Sequence, residues 1–309
     1  MASTFLRQEQ AREAENTRAN ALVLADAAVW ALIAEAELTP KPALVDGRGN
    51  GAHQDLSLDI MRCSAHALKD AFFTMAMAAD GRTPSRSLRE ELAAIGRDGE
   101  KAMMAATNGS NAHRGAIWAM GLLIGGACCA PSKNAEDIGQ QAAAIAGFPD
   151  RFYPSAPTNG QSVTARYGVG GARQEARLGF PHVISVALPA LHQARANGAD
   201  ETHARLDALM SVMAVMEDTC LLHRGGPQAL NAAMAGATQV LTAGGSATPE
   251  GFAALEQLHL DLMAFNASPG GAADMLAAAL FLDRITSDRT SGLMSTDPCL
   301  LMETYPWKF

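Results

Sequence analysis

Thr39-Pro40-Lys41-Pro42-Ala43-Leu44-Val45-Asp46-Gly47-Arg48-Gly49-Asn50-Gly51-Ala52-His53-Gln54-Asp55 separates two segments of helical periodicity. Its prolines fix φ and forbid a helix through the segment, and its glycines let the backbone turn tightly or come close to a ligand. Before it, Leu22, Ala25, Val29, Leu32, Ile33 and Ala36 recur at i, i+3, i+4, i+7 spacing, which predicts an amphipathic helix over 21–37. After it, Ser57 is placed to cap a helix carrying Ile60, Ser64, Ala67, Leu68, Ala71, Phe72, Met75 and Ala79 on one face, ended by Gly81. Two carboxylates, a histidine, a lysine and an arginine make the connection unusual for a surface loop. The plainer reading is a solvated linker with capping residues at each end.

The helical pattern continues through the chain. Ser87 followed by Glu90 reads as a capping box opening a helix with Leu92, Ile95 and Met103 inward. A polar turn at 107–115 feeds an apolar helix from Ala116, and another helix is expected from Asn134 to Ala146. The segment 148–171 is rich in Pro, Gly, Ser and Thr without an apolar period, so it is expected to be an irregular lid or binding loop. Further helices are expected at 172–178, 182–196, 201–223, 227–242, 249–265 and 270–286. No alternating β-branched run and no internal repeat appear. The expected fold is therefore all-α: one multi-helix domain over 21–286, an N-terminal arm over 1–20 that is polar to residue 16, and a C-terminal tail over 287–309.

Composition narrows the class. The chain has 309 residues, 48% of them hydrophobic, and its 18% charged share is below the roughly 25% of soluble domains, so much helix surface must face other helices or a second copy in a homodimer. A net charge of −8 and the lack of a basic run argue against nucleic acid. Five cysteines, at 63, 128, 129, 220 and 299, with no C-x-x-C pair, fit reduced cytoplasmic thiols rather than disulfides or a cysteine zinc site. The charged N-terminus lacks a signal-peptide core. The apolar run 115–130 falls short of the roughly 20 residues of a membrane span, so no membrane partner is expected.

Four polar clusters stand at loop-to-helix junctions, where a polar cleft is expected. The first holds Lys41, Asp46, Arg48, His53 and Asp55. The second, Asn111-Ala112-His113-Arg114-Gly115, joins free helix-start N–H groups to an arginine, a combination suited to an anion. The third runs from Arg166 to Arg177 and places Arg173 and Arg177 one turn apart behind a glycine-rich turn; it is neither a Walker loop nor a Rossmann fingerprint. The fourth, Asn266-Ala267-Ser268-Pro269-Gly270-Gly271-Ala272-Ala273-Asp274, reads as Ser268 capping a helix with Pro269 at its first position. Each has a plainer reading as a helix cap. Asp218, His223, Arg224, Gly225 and Gly226 form a smaller candidate at a helix C-terminus. His66, His182, His192, His203 and His259 read as isolated residues, and the helix-spaced methionines as core filler. No G-x-S-x-G, H-E-x-x-H or Cys–His signature occurs.

The blocks 39–46, 51–55, 111–117, 167–176, 179–181 and 266–274, taken together in order and spacing, resemble the triphosphoribosyl-dephospho-CoA synthases over residues 21 to 286. Departures are small: Ala43 stands where that family usually has glycine, and Ala112 and Arg114 where it usually has threonine and often lysine. The resemblance implies transfer of the 5-triphosphoribosyl group of ATP to the 2′-hydroxyl of 3′-dephospho-CoA with release of adenine. The product would be the prosthetic-group precursor of malonate decarboxylase or citrate lyase, passed to a transferase that modifies a carrier protein; the Gly51-Ala52-His53 and Arg48-Gly49-Asn50-Gly51 details incline to the malonate branch. On this reading Lys41, Arg48, Arg114 and Arg173 meet phosphates. His53, Asn111, His113, Ser268, Gly270 and Gly271 line the substrates. Asp46, Asp55 and Asp274 hold Mg²⁺, brought as Mg-ATP, or serve as base, with Glu175 an alternative base. A Mg²⁺-dependent helical hydrolase of phosphorylated nucleosides and a non-enzymatic helical scaffold are the rival readings.

Overall fold

A computed structural model describes the backbone of residues 2–153 and 158–287, with side chains from residue 9 onward. Among the described residues every extended element is helical, and one isolated bridge, Asp46 to Gly49, is the only β pairing. The expected all-α domain is observed.

Helix α1 (Ala2–Glu37) absorbs both the expected arm and the amphipathic segment in one continuous rod. From Glu9 on it is long and apolar enough to cross a membrane, yet half of that window is buried, because α1 packs on α2 (Leu58–Ala67), α3 (Lys69–Ala79) and α13 (Gly270–Thr286). A core helix passes the same length test. Ala25, Val29, Leu32 and Ala36 are buried as the spacing predicts, whereas Leu22 is exposed.

Ser57 caps α2 through its hydroxyl, but the expected single helix to Gly81 breaks at Leu68, whose N–H turns back to the Ala65 carbonyl. The cap of α4 (Arg86–Ala106) is Ser85, which accepts the Leu88 N–H; Glu90 is drawn instead into a two-pronged pair with Arg151, so the expected Ser87–Glu90 box does not form. Helices α5 (Arg114–Cys129) and α6 (Ala135–Gly147, capped by Asn134) follow the prediction and pack on each other.

The expected irregular segment contains α7 (Asn159–Tyr167), opened by a capping box between Thr158 and Gln161. Then come α8 (Gly171–Arg177), a π-helical turn at His182–Ala187 and α9 (Leu188–Ala196). The expected 201–223 helix divides into α10 (Glu201–Met213) and α11 (Thr219–Thr242). Asp218 therefore caps a helix start rather than standing at a C-terminus, and the break expected before 227 is a kink inside α11 at Gly226, φ 67°. Helix α12 (Pro249–Ala264) is capped by Thr248. The cap position of α13 is Pro269 with no side-chain bond, not Ser268. The tail expected over 287–309 lies, after Ser287, outside the described residues.

Helix α13 is apolar through its middle and deeply enclosed there, with Ala272 and Met275–Leu282 buried against α1, α5 and α10. Its start, together with those of α5 and α11, lies under the 39–55 connection.

Gly51 fixes that connection. It has φ 56°, and a Cβ there would strike the Ala43 and Leu44 carbonyls. Gly51→Ala is expected to cost at least about 2 kcal/mol in denaturant melts, since left-handed strain and overpacking coincide. A change under about 0.5 kcal/mol would show that the connection is not held as described.

Candidate active site

Asp46 organises the first cluster from inside. Its Oδ2 accepts the Lys41 N–H at 2.8 Å and Arg48 Nε at 3.0 Å, while Oδ1 accepts the Arg48 N–H at 2.8 Å. Arg48 reaches Glu256 on α12 at 2.7 Å and the Lys41 carbonyl at 3.0 Å. Lys41 points into the core and donates to the Glu35 carbonyl at 2.6 Å and to Glu35 Oε1 at 2.5 Å. Both partners are buried. Ala43 has φ 54°, which accounts for glycine at this point in the resembling family, and its N–H is held by His259 Nδ1 at 3.1 Å. His259 is thus a brace for the loop rather than an isolated residue.

His53 joins this loop to two helices. Arg224 of α11 donates to the Ala52 carbonyl at 2.8 Å and to His53 Nδ1 at 3.1 Å. A guanidinium only donates, so Nδ1 carries the lone pair and Nε2–H donates to Ser268 Oγ at 2.9 Å. Burial first, then Arg224, lowers the His53 pKa to about 4 against a smaller opposing pull from Asp55. Asp55 itself is exposed.

In the second cluster Asn111 accepts the Arg114 N–H at 3.2 Å, and Arg114 pairs with Glu100. His113 turns inward, 2.6 Å from Ser64 Oγ, with its Nε2 buried and, among the described residues, unpartnered. If Ser64 donates to Nδ1, one polar hydrogen is left unmet; the other tautomer strands both the hydroxyl hydrogen and Nε2. The Nε2–H form therefore leaves fewer groups unsatisfied. Burial and then the Lys41 charge push this imidazole down to about 3.

Asp274 lies where these parts meet. Its carboxylate rests against Gly115 so closely that a Cβ there would overlap Oδ2, and it takes the Ala116 N–H at the start of α5. Burial, then Glu35, then Asp218 raise its pKa well above the usual carboxylate value. No cation pairs with it among the described residues. Asp218 ties two helix starts together, accepting the Cys220 N–H at 2.7 Å and the Ala272 N–H at 2.9 Å, and Gly270 lies beside Cys220 Sγ while Gly271 abuts Asp218.

The third cluster adjoins this junction. A Cβ on Gly171 would stand 3.4 Å from Thr219 at the start of α11, and Trp118 of α5 donates to the Ala172 carbonyl at 3.1 Å. Arg173 is exposed, 4.3 Å over the Tyr153 ring. Glu175 is buried and fully engaged by His182, at 2.9 Å to its N–H and 2.6 Å to Nδ1, so neither residue stands alone.

Lys41, His53, His113, Ser268 and Asp274 are thereby linked through neighbouring contacts. Arg48, Arg114 and Glu175 are each committed to a partner. Asp46, Asp55 and Asp274 do not gather into a chelating set: among the described residues no three His, Cys, Asp or Glu side chains form a metal-binding group. Sequence reasoning missed Glu35 and Ser64 as the partners of Lys41 and His113. A carboxylate in the Ala-rich apolar run of 31–36 was the available signal for Glu35.

The two histidines predict an acid-side loss of stability. Their folded pKa values lie below the unfolded 6.5, so between those limits the unfolded chain binds more protons and stability falls as pH drops. Replacing His113 by Gln is expected to shrink this slope. Between pH 6.5 and 4.5 the stability gap between wild type and variant should change by about 1.4 kcal/mol per pH unit at most, measured by urea unfolding; a gap independent of pH would place His113 in a solvated setting.

The family model described as ATP:dephospho-CoA triphosphoribosyl transferase matches residues 21–292. A probable 2-(5''-triphosphoribosyl)-3'-dephosphocoenzyme-A synthase of Azotobacter vinelandii is 54% identical over 264 residues, covering 84% of this chain and 90% of that protein. A protein of Klebsiella pneumoniae named 2-(5''-triphosphoribosyl)-3'-dephosphocoenzyme-A synthase is 50% identical over 263 residues, covering 85% and 94%. No solved structure matches the chain.

Proposed function

The chain belongs to the ATP:dephospho-CoA triphosphoribosyl transferase family, and we propose that it performs the transfer where the starts of α5, α11 and α13 meet, with Asp274 as the acid–base residue. It is a transferase acting on ATP and dephospho-CoA. In the reaction the 2′-hydroxyl oxygen of 3′-dephospho-CoA bonds to C1′ of the ATP ribose as the C1′–N9 bond breaks. The bonding pair leaves with adenine, and the hydroxyl proton passes through a base to the departing ring.

A carboxyl held neutral by burial and neighbouring negative charge suits such a relay by first donating its proton to the departing adenine and then, as the carboxylate, accepting the proton of the 2′-hydroxyl. The observation that carries this reading is the placement of Asp274 against Gly115, with the Glu35 and Asp218 charges acting on it and no cation paired with it among the described residues. Asp46 and Glu175 are consumed by the contacts that hold their own segments.

Mg²⁺ enters with the ATP phosphates, which need only one or two protein carboxylates to complete the ion's shell. Asp55, exposed beside His53, suits that task better than Asp46, whose oxygens already accept three N–H groups. The product is the precursor of a carrier-protein prosthetic group, and the loop details at 48–53 favour the malonate decarboxylase branch. A carrier-modifying transferase would take it onward.

The test is direct. The protein is incubated with ATP, Mg²⁺ and dephospho-CoA, and adenine and the triphosphoribosyl adduct are sought by mass spectrometry. Equimolar appearance of both is expected. Adenine or ribose phosphates without the adduct would replace this reading with a nucleoside hydrolase.

A further inference from the structure

Beside the helix-start junction an open pocket of about 660 Å³ lies between α7 and α8, lined by Thr164, Gly168, Gly170, Arg173, Arg177 and Leu178 among others. Its charge is one-sided. Arg173 and Arg177 are exposed and, among the described residues, neither meets a carboxylate. Arg166 behaves alike, lying 5.1 Å over the Tyr167 ring. In a chain of net charge −8, whose Arg48, Arg62, Arg82, Arg97, Arg114 and Arg151 are paired with carboxylates, three arginines without one gather around a single pocket.

A fourth arginine stands behind them. Arg89 of α4 is only 6% exposed, lies 4.8 Å over Trp118, and keeps a buried Nε with no hydrogen-bond partner among the described residues. Burial and the neighbouring Arg173 and Arg97 charges act against its ionised form, with Asp150 opposing them. Asp150, itself paired with Arg97, offsets part of this positive charge, and an anion beside Arg173 and Arg177 would offset more. Trp118 also donates to the Ala172 carbonyl, which couples Arg89's platform to the helix bearing Arg173 and Arg177.

We propose that this pocket is the seat of a nucleotide polyphosphate chain, held by Arg173 and Arg177, with Arg89 as a positioning residue that sustains the positive potential behind them. Two planar guanidinium groups one helical turn apart suit the successive phosphates of a diphosphate or triphosphate. The inference rests on the transferase reading for its ligands. Both substrates bear such a chain, the triphosphate of ATP and the diphosphate of dephospho-CoA. Contact between Gly171 and Thr219 puts the pocket next to the junction that holds Asp274, so the phosphates and the reacting ribose would occupy adjoining chambers.

Binding is measured by calorimetry with inorganic pyrophosphate, ATP and dephospho-CoA as separate probes, on wild type, Arg173→Ala, Arg177→Ala and Arg89→Met. Each exposed arginine replaced by alanine should weaken pyrophosphate binding about tenfold or more with an unchanged melting temperature. Arg89→Met should weaken it less, with a shallower salt dependence that a purely structural role would not produce. The nucleotide whose affinity falls in parallel identifies the source. Wild-type binding of pyrophosphate that none of the three variants alters, or no binding at all, overturns the proposal. Arginine-dependent binding in a protein that forms no adduct would leave the pocket standing and remove the transferase reading instead.

Discussion

Asp274→Asn is expected to lower turnover by a factor of about 10² to 10⁴, the range of a positioned acid–base group, while the fold stays intact or gains stability. The carboxylate is enclosed, with Glu35 and Asp218 as its nearest negative neighbours, and all three influences favour its neutral form. Asparagine is close to isosteric with that neutral form. It can still accept the Ala116 N–H, but it cannot exchange a proton. The folded-state pKa is raised, so wild-type stability from this group is present at low pH and lost as pH climbs through the folded value. The variant should lack that alkaline loss, and its melting temperature should exceed wild type by more at pH 8 than at pH 5. Turnover by mass spectrometry and melting over this range separate catalysis from scaffold. Near-normal adduct formation would remove Asp274 from the mechanism, and a lower melting temperature at every pH would make it a helix cap.

Helices were legible where the apolar period was long and its ends chemically marked. Ser57, Asn134 and Asp200 cap helices through their own side chains, as residues of that type do. Boundaries failed where two signals competed. Ser85 and Ser87 are both plausible caps, and the choice falls to Ser85 because Glu90, needed for the alternative, pairs with Arg151 more than 60 residues away. Thr158 and Gln161 form a capping box that was readable but masked by the surrounding glycines and prolines.

The candidate site divides in the same way. That polar clusters gather at helix starts was visible, because such starts leave N–H groups unmet. Which charge faces a ligand was not, since that depends on partners brought in by the fold. Asp46, Arg48 and Glu175 have the right chemistry and are occupied by Lys41, Glu256 and His182. Arg89 carries no sequence signal of its own, and only the fold sets it over the Trp118 ring.

Lys41 shows how far a partner changes a residue's meaning, and its replacement is the largest expected effect on stability. Lys41→Met should cost about 3–5 kcal/mol, because it leaves the Glu35 carboxylate buried without its cation. The penalty arises from the stranded partner, so Lys41→Met combined with Glu35→Gln should recover most of it, and a double-mutant cycle should show strong coupling. Loss of the Lys41 charge should also let His113 titrate higher, since that charge helps push the imidazole down to about 3. Denaturant unfolding of the four proteins, with the histidine followed by NMR, tests both statements. A lysine that served as a phosphate ligand from a solvated loop would behave oppositely: stability would stay within about 0.5 kcal/mol, ATP affinity would fall, and Glu35→Gln would rescue nothing.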